Sequence, residues 1–124
     1  MKSSAPFAYE GLARIFHERG RLGICACLIA NGDAMSFKAL QDACALTDGN
    51  LNRHLHALCE MQIVTLNRVR GDGRPTTIAR ITTSGKARFL AYIDELEAVV
   101  RAVHATDLAA DRDATAFGRL AATS

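Results

Sequence analysis

Apolar residues recur at helical spacing through the first half of the chain, shift to a strand-like stretch, and return to helical spacing. Ser4 or Ala5 can cap a first helix with Pro6 at its start, where a missing amide donor costs little. Phe7, Leu12, Ile15 and Phe16 give that helix an apolar side, and Gly20 is its expected stop. A second helix is expected over Arg21–Ala30, ending at Asn31-Gly32, with Leu22, Cys25, Leu28 and Ile29 on one face. Ser36 caps a third, running to about Ala45, with Phe37, Leu40 and Cys44 inward. Thr47 caps a fourth, Asp48–Met61, its hydroxyl placed to accept the amide of Gly49 or Asn50. Leu51, Leu55 and Leu58 anchor this fourth helix at spacings of four and three.

Val64–Arg70 and Thr76–Thr82 are rich in β-formers, and Gly71-Asp72-Gly73 between them supplies turn chemistry, so a hairpin is expected. Thr83 is the expected cap of a long helix reaching about Ala105. On it Phe89, Ile93, Leu96, Val100 and Val103 recur at spacings of four, three, four and three, an a/d seam over about two heptads. Thr106–Ser124 is rich in Ala and Asp and reads either as a short helix around Phe117 and Leu120 or as a frayed tail. No repeat or linker divides the chain. The expected architecture is one mainly α domain with a small β-hairpin (α+β): an N-terminal helix over 1–20, a core over 21–83, and a C-terminal helix and tail over 84–124.

A short helix pair with a tight turn, followed by a basic hairpin, presents its second helix to the major groove of duplex DNA. Charge supports this order of elements. Residues 47–88 carry seven basic side chains against three acidic ones, a net +4, whereas residues 89–124 carry a net −3, although the whole chain is only at +2. Arg53 leads the candidate contacts, because its planar guanidinium can grip guanine or a phosphate bidentately. Asn50 and Asn52 can pair with adenine edges, His56 can donate or accept, and Thr47 and Gly49 sit where free helix amides favour a phosphate. Asp48 supports the helix start instead of meeting DNA. On the hairpin, Arg74 is stiffened by Pro75 and suits a narrow minor groove, while Arg68, Arg70 and Thr76 suit the backbone. Lys38 and Gln41 on the preceding helix are lesser backbone candidates. The plain alternative for all of these is a solvated polar face.

Leu46-Thr-Asp-Gly-Asn-Leu-Asn-Arg-His-Leu55, Gly73-Arg-Pro-Thr76 and Ile81-Thr-Thr-Ser-Gly-Lys86 resemble, in that order, bacterial winged-helix transcriptional regulators of the MarR-like and ArsR-like superfamily. The resemblance covers roughly residues 20–100. It implies a homodimer whose paired recognition helices, here Asp48–Met61, read a pseudo-palindromic operator beside wings at Arg68–Thr77. The seam residues Phe89, Ile93, Leu96, Val100 and Val103, with the first helix, are the expected dimer surface.

Some ArsR-like relatives hold metal through Cys-x-Cys, and Cys25-Ala-Cys27 invites the comparison. That motif resembles a feature of the helix just before the recognition helix, whereas here it lies one helix earlier. Residues two apart on a helix also point about 200° apart, so Cys25 and Cys27 do not share one ion easily. Cys25, Cys27, Cys44 and Cys59 therefore read as structural thiols, with Cys27 the least explained and a redox role open. His17, His54, His56 and His104 show no metal spacing, and no cofactor is expected. The absence of an apolar leader or a run of roughly 20 apolar residues reads as a cytoplasmic protein with no membrane partner. No paired-carboxylate, nucleophile–base or phosphate-loop signature is present, so no enzyme is expected. An unidentified small-molecule effector, in a cleft between dimer helices and the DNA-binding lobe, completes the leading reading. Two others stand beside it: a winged helix that binds protein without an operator of its own, and a thiol- or metal-responsive regulator.

Overall fold

The computed structural model describes residues 13–71 and 73–123, with side chains as far as residue 109. Its elements are α1 (Arg19–Ala30), β1 (Ala34–Ser36), α2 (Phe37–Cys44), α3 (Asp48–Glu60), β2 (Val64–Arg70), β3 (Pro75–Ile81) and α4 (Thr83–Thr123). The chain forms two compact units, divided between Tyr92 and Ile93. The α+β class expected from the pattern is the one observed.

In the first unit the helix starts are set by side chains that accept otherwise unpaired amides. Ser36 accepts from the Ala39 amide at 3.1 Å, and Thr47 from the Asn50 amide at 3.2 Å. Glu18 does the same for α1, taking the Arg21 amide at 2.9 Å. Gly20 is therefore not the stop of a preceding helix but part of the first turn of α1. The physical reason is close packing: a Cβ on Gly20 would stand 2.5 Å from Nε2 of His54. Most of the expected first helix, residues 1–12, lies outside the described residues; Ala13–His17 forms turns, with Phe16 and His17 bonding back to Ala13 and Arg14. On α1 the fully buried residues are Ile24, Cys25 and Leu28, so Ile24 joins the core while Leu22 and Ile29 are half-buried.

The hairpin is wider than expected. β1 adds to β3, and the sheet order is β1-β3-β2, all antiparallel, with Met35 opposite Ala79 and Leu66 opposite Ala79 from the other side. Three residues of β1 are too few to show alternation, and their place depends on the turn before them. Gly32 and Asp33 both adopt positive φ, at 79° and 76°. The Asp33 carbonyl accepts the Ile81 amide at 2.9 Å, and its carboxylate meets Lys86 at 3.1 Å.

Thr82, rather than Thr83, caps α4. Its hydroxyl oxygen accepts the Gly85 amide at 2.8 Å, and its hydroxyl donates to the Gln62 carbonyl at 2.8 Å. The Thr82 amide in turn donates to Ile63 O at 2.8 Å. One residue thus joins the end of β3, the start of β2 and the start of α4. Phe89 and Tyr92, about two and three helical turns on, close the core over Phe16, at ring separations of 5.2 and 5.6 Å. Phe89, expected on a dimer seam, is buried in the core of its own unit.

The second unit is the remainder of α4, which runs on to Thr123 instead of stopping near Ala105. Alanine is the strongest helix former, which accounts for a helix where periodicity fades. Ile93, Leu96 and Val100, with Glu97 and Arg101, line an open groove of about 320 Å³. Val100 and Val103 are 45% and 56% exposed.

Replacing a helical glycine by alanine normally stabilises by about 1 kcal/mol. At Gly85 a Cβ would meet the Ile63 carbonyl oxygen at 2.5 Å and its Cα at 2.7 Å, backbone atoms that cannot swing away. Gly85→Ala is therefore expected to destabilise by about 1–3 kcal/mol, read as a lower urea midpoint; an unchanged or higher midpoint contradicts the packing.

Candidate nucleic-acid interface

The α2–α3 turn is sharp because Ala45 takes the left-handed conformation, φ 53°, at the end of α2. The Leu46 amide bonds back to Gln41 O at 3.2 Å. Gln41 Nε2 also donates to the Asp48 carboxylate, tying the middle of α2 to the first residue of α3. Asp48 is thereby occupied in holding the turn, and Gln41 is a clamp rather than a free surface residue.

Helix α3 is divided cleanly by exposure. Leu51, Leu55 and Leu58 are fully buried, while Thr47, Gly49, Asn50, Asn52, Arg53 and His56 are exposed. Asn50 Oδ1 accepts from Arg53 Nη2 at 3.4 Å, so these two candidate contacts stand together. Lys38 is exposed but paired with Asp42 at 3.0 Å, an exchangeable surface pair that a phosphate could displace.

In the wing, Arg70 stands opposite Pro75, Arg68 opposite Thr77 and Val69 opposite Thr76. Alternation along β2 puts Arg68 and Arg70 on the face that begins with buried Val64, and Thr76 on the other face. Gly73, at φ 88°, turns the chain into Arg74. Arg68, Arg70, Arg74 and Thr76 are all exposed, and among the described residues no ion pair engages the three arginines.

His54, for which the sequence showed only the lack of a metal spacing, is a core residue. It is 3% exposed, with Nδ1 3.4 Å from Glu18 and 3.5 Å from Arg21 Nη1, while Arg21 Nε donates to Ile15 O at 2.7 Å. Burial pushes the imidazole pKa down, the Glu18 carboxylate opposes this, and the charges of Arg53 and Arg21 add to it; the net shift is below the ordinary 6.5. Burial raises the Glu18 carboxyl, but amide hydrogen bonds from Arg21 and Gly20 and the charges of His54 and Arg21 outweigh this and hold it below its ordinary value. A histidine spaced three from Leu51 carries a core signal, but its partners lie over 30 residues away in sequence. Beside this network a cleft of about 440 Å³ opens between α1, the α2–α3 turn and α3, reaching Asn50 and Arg53.

A family model described as a winged helix DNA-binding domain matches residues 21–100. This chain belongs to that family. An uncharacterised protein of Methanocaldococcus jannaschii is 36% identical over 83 residues, covering 67% of this chain and 89% of that one. The solved structure of a transcriptional regulator homologue from Pyrococcus horikoshii aligns at a TM-score of 0.69 and 30% identity, over 73% of this chain and 89% of that chain. A MarR-family regulator from Silicibacter pomeroyi, 19% identical, shares the fold at a TM-score of 0.56, over 68% of this chain and 55% of that chain. The Methanocaldococcus and Pyrococcus proteins are archaeal, so the likeness extends beyond the bacterial regulators that the motifs resemble. The winged-helix domain is a DNA-binding regulator fold and not an enzyme. No described helix is long and apolar enough to cross a membrane.

His54 gives this winged helix a pH dependence of defined sign. The unfolded chain, with its imidazole at the ordinary 6.5, takes up a proton that the folded chain resists, so stability rises with pH through that window. Unfolding free energy is expected to be level above about pH 7 and to fall as pH drops through 6.5. The lowered Glu18 carboxyl acts in the same direction: its contribution is present above its ordinary 4.5 and lost as pH falls below that. Urea melts from pH 5 to 8 test this; a His54→Gln protein that folds and keeps the same decline near pH 6 refutes the assignment.

Proposed function

We propose that this chain is a sequence-specific regulator that binds duplex DNA as a homodimer, with α3 in the major groove and the wing on the adjoining backbone or minor groove. The observation that carries the reading is the division of α3: three leucines bury one side, and the other side holds Arg53, Asn50, Asn52 and His56 in the open. Thr47 and Gly49 offer the helix N-terminus to a phosphate. Arg68, Arg70, Arg74 and Thr76 form the wing contacts, and Lys38 a backbone contact from α2. The dimer forms through Ile93, Leu96 and Val100, which line the groove on α4, and through the exposed Val103. Phe89, buried in the core of its own unit, is not part of this surface.

Fluorescence anisotropy against duplex DNA from upstream of the protein's own gene, with a scrambled duplex as control and at two salt concentrations, tests the first part. Preferential binding that weakens as salt rises is expected. Arg53→Ala should cost about 1–3 kcal/mol of that affinity and relax the preference, whereas Arg74→Ala should weaken binding and flatten the salt slope. Weak, equal binding to both duplexes, with a protein partner retained, favours the protein-binding winged helix instead. For the second part, Leu96→Glu is expected to convert a dimer to a monomer in sedimentation equilibrium. A dimer unaffected by Leu96→Glu and Val100→Glu together places the interface elsewhere.

A further inference from the structure

Two arginines line the cleft beside α3, and only one of them belongs to α3. Arg53 is on α3, while Arg19 is the first residue of α1, and both are exposed. The other charged groups at this end of α1 are committed. Glu18 accepts the Arg21 amide at 2.9 Å, and the Arg21 guanidinium donates to Ile15 O at 2.7 Å and reaches His54. Among the described residues no ion pair engages Arg19. Its side chain is therefore the available cation here, whereas Glu18 already occupies the helix end. Sequence pattern does not associate Arg19 with α3, because 34 residues separate it from Arg53.

The position of the cleft decides what Arg19 can meet. At about 100° per residue, Asn50 and Arg53 lie on one flank of the exposed side of α3, and Asn52 and His56 on the other. The cleft is lined by the first pair and not by the second, so it borders the Arg53 flank. A helix with its side chains is about 10–12 Å across, close to the roughly 12 Å width of the DNA major groove. A helix that fills the groove has a sugar-phosphate backbone along each flank. What borders a flank then meets phosphates. Gly23, one turn after Arg19, also lines the cleft, and a Cβ there would find no atom within 4 Å. The cleft is open at that point, and no close packing requires a glycine.

We infer that Arg19 is a DNA-backbone contact: a phosphate of the strand bordering α3 seats at the cleft between α1 and α3, where the Arg19 guanidinium grips it beside Arg53. This rests on the DNA-binding reading and extends the interface to a helix outside the α2–α3 pair. The planar guanidinium matches phosphate oxygens bidentately. Glu18 also lines the cleft and opposes a phosphate, but its carboxylate is held by the Arg21 amide and lies 3.4 Å from His54 Nδ1. Two arginines then face one engaged carboxylate. A phosphate contact carries no base information. Arg19 thus sets how firmly α3 is seated, and not which sequence it prefers.

The test is anisotropy of the full chain on the upstream and scrambled duplexes over a range of salt. Arg19→Ala is expected to weaken binding to both by the same factor, about tenfold. The slope of log affinity against log salt should become shallower by about 1, with the preference between duplexes and the urea midpoint unchanged. A second pair of variants separates charge from bulk. Gly23→Glu and Gly23→Gln both enter open space and both favour a helix more than glycine does, so neither is expected to unfold the chain. Gly23→Glu, which brings a carboxylate to the cleft, should bind duplex several-fold more weakly than Gly23→Gln. Wild-type affinity and salt slope in Arg19→Ala, or equal binding by the two Gly23 variants, overturns the contact. Where Arg53→Ala loses affinity and Arg19→Ala does not, this inference fails alone. A wild-type chain that binds no duplex overturns the DNA-binding reading and the contact together.

Discussion

The burial of Leu51, Leu55 and Leu58 is the constraint on which the exposed face of α3 depends. Removing one such leucine from a core costs about 2–5 kcal/mol, so α3 has little freedom to rotate about its own axis. A helix fixed on one side has its opposite side fixed as well. Arg53, Asn52 and His56 are therefore held outward by apolar packing that they take no part in. The same leucines leave His54 inward, one position from Arg53 in sequence and on the other side of the helix surface. Its neutral form suits that place, because an uncompensated charge there would oppose the packing.

The ends of α3 are governed by different physics. At its start, Thr47, Asn50, Gln41 and Asp48 form a short polar network that fixes the turn from α2. After its end, Gln62 takes a positive φ of 60° and Ile63 enters the core. Thr82 then reaches across to the carbonyls of Gln62 and Ile63, and Gly85 lets α4 pass against that backbone without a side chain between. The wing thus leaves the core from a point anchored by hydrogen bonds, while its tip carries the exposed arginines. Rigid attachment with an open tip suits a hairpin that must meet a charged surface.

Thiols, a buried imidazole and an exposed guanidinium share one small volume. The cleft beside α3 is lined by Cys27 and Cys44, by Asn50 and Arg53, and by His54 and Glu18. Changes of charge or packing there act on the α2–α3 turn at short range. No transmission through the length of the molecule is required.

Much of this was written in local sequence. The caps at Ser36 and Thr47, the bounds of β2 and the leucine stripe of α3 each depend on residues within one or two turns of one another, and local pattern determines such features. The exposed polar residues of α3 followed from the same stripe. Tertiary structure decided what depends on distant partners. It drew Ala34–Ser36 into the sheet, made Gly20 a packing residue under His54, and moved the α4 cap from Thr83 to Thr82, whose hydroxyl finds carbonyls about twenty residues away. It also placed Phe89 in its own core, because Phe16 lay across from it, and brought Cys27 against Met35. Periodicity reports which side of a helix is apolar; only the packed chain decides what that side meets.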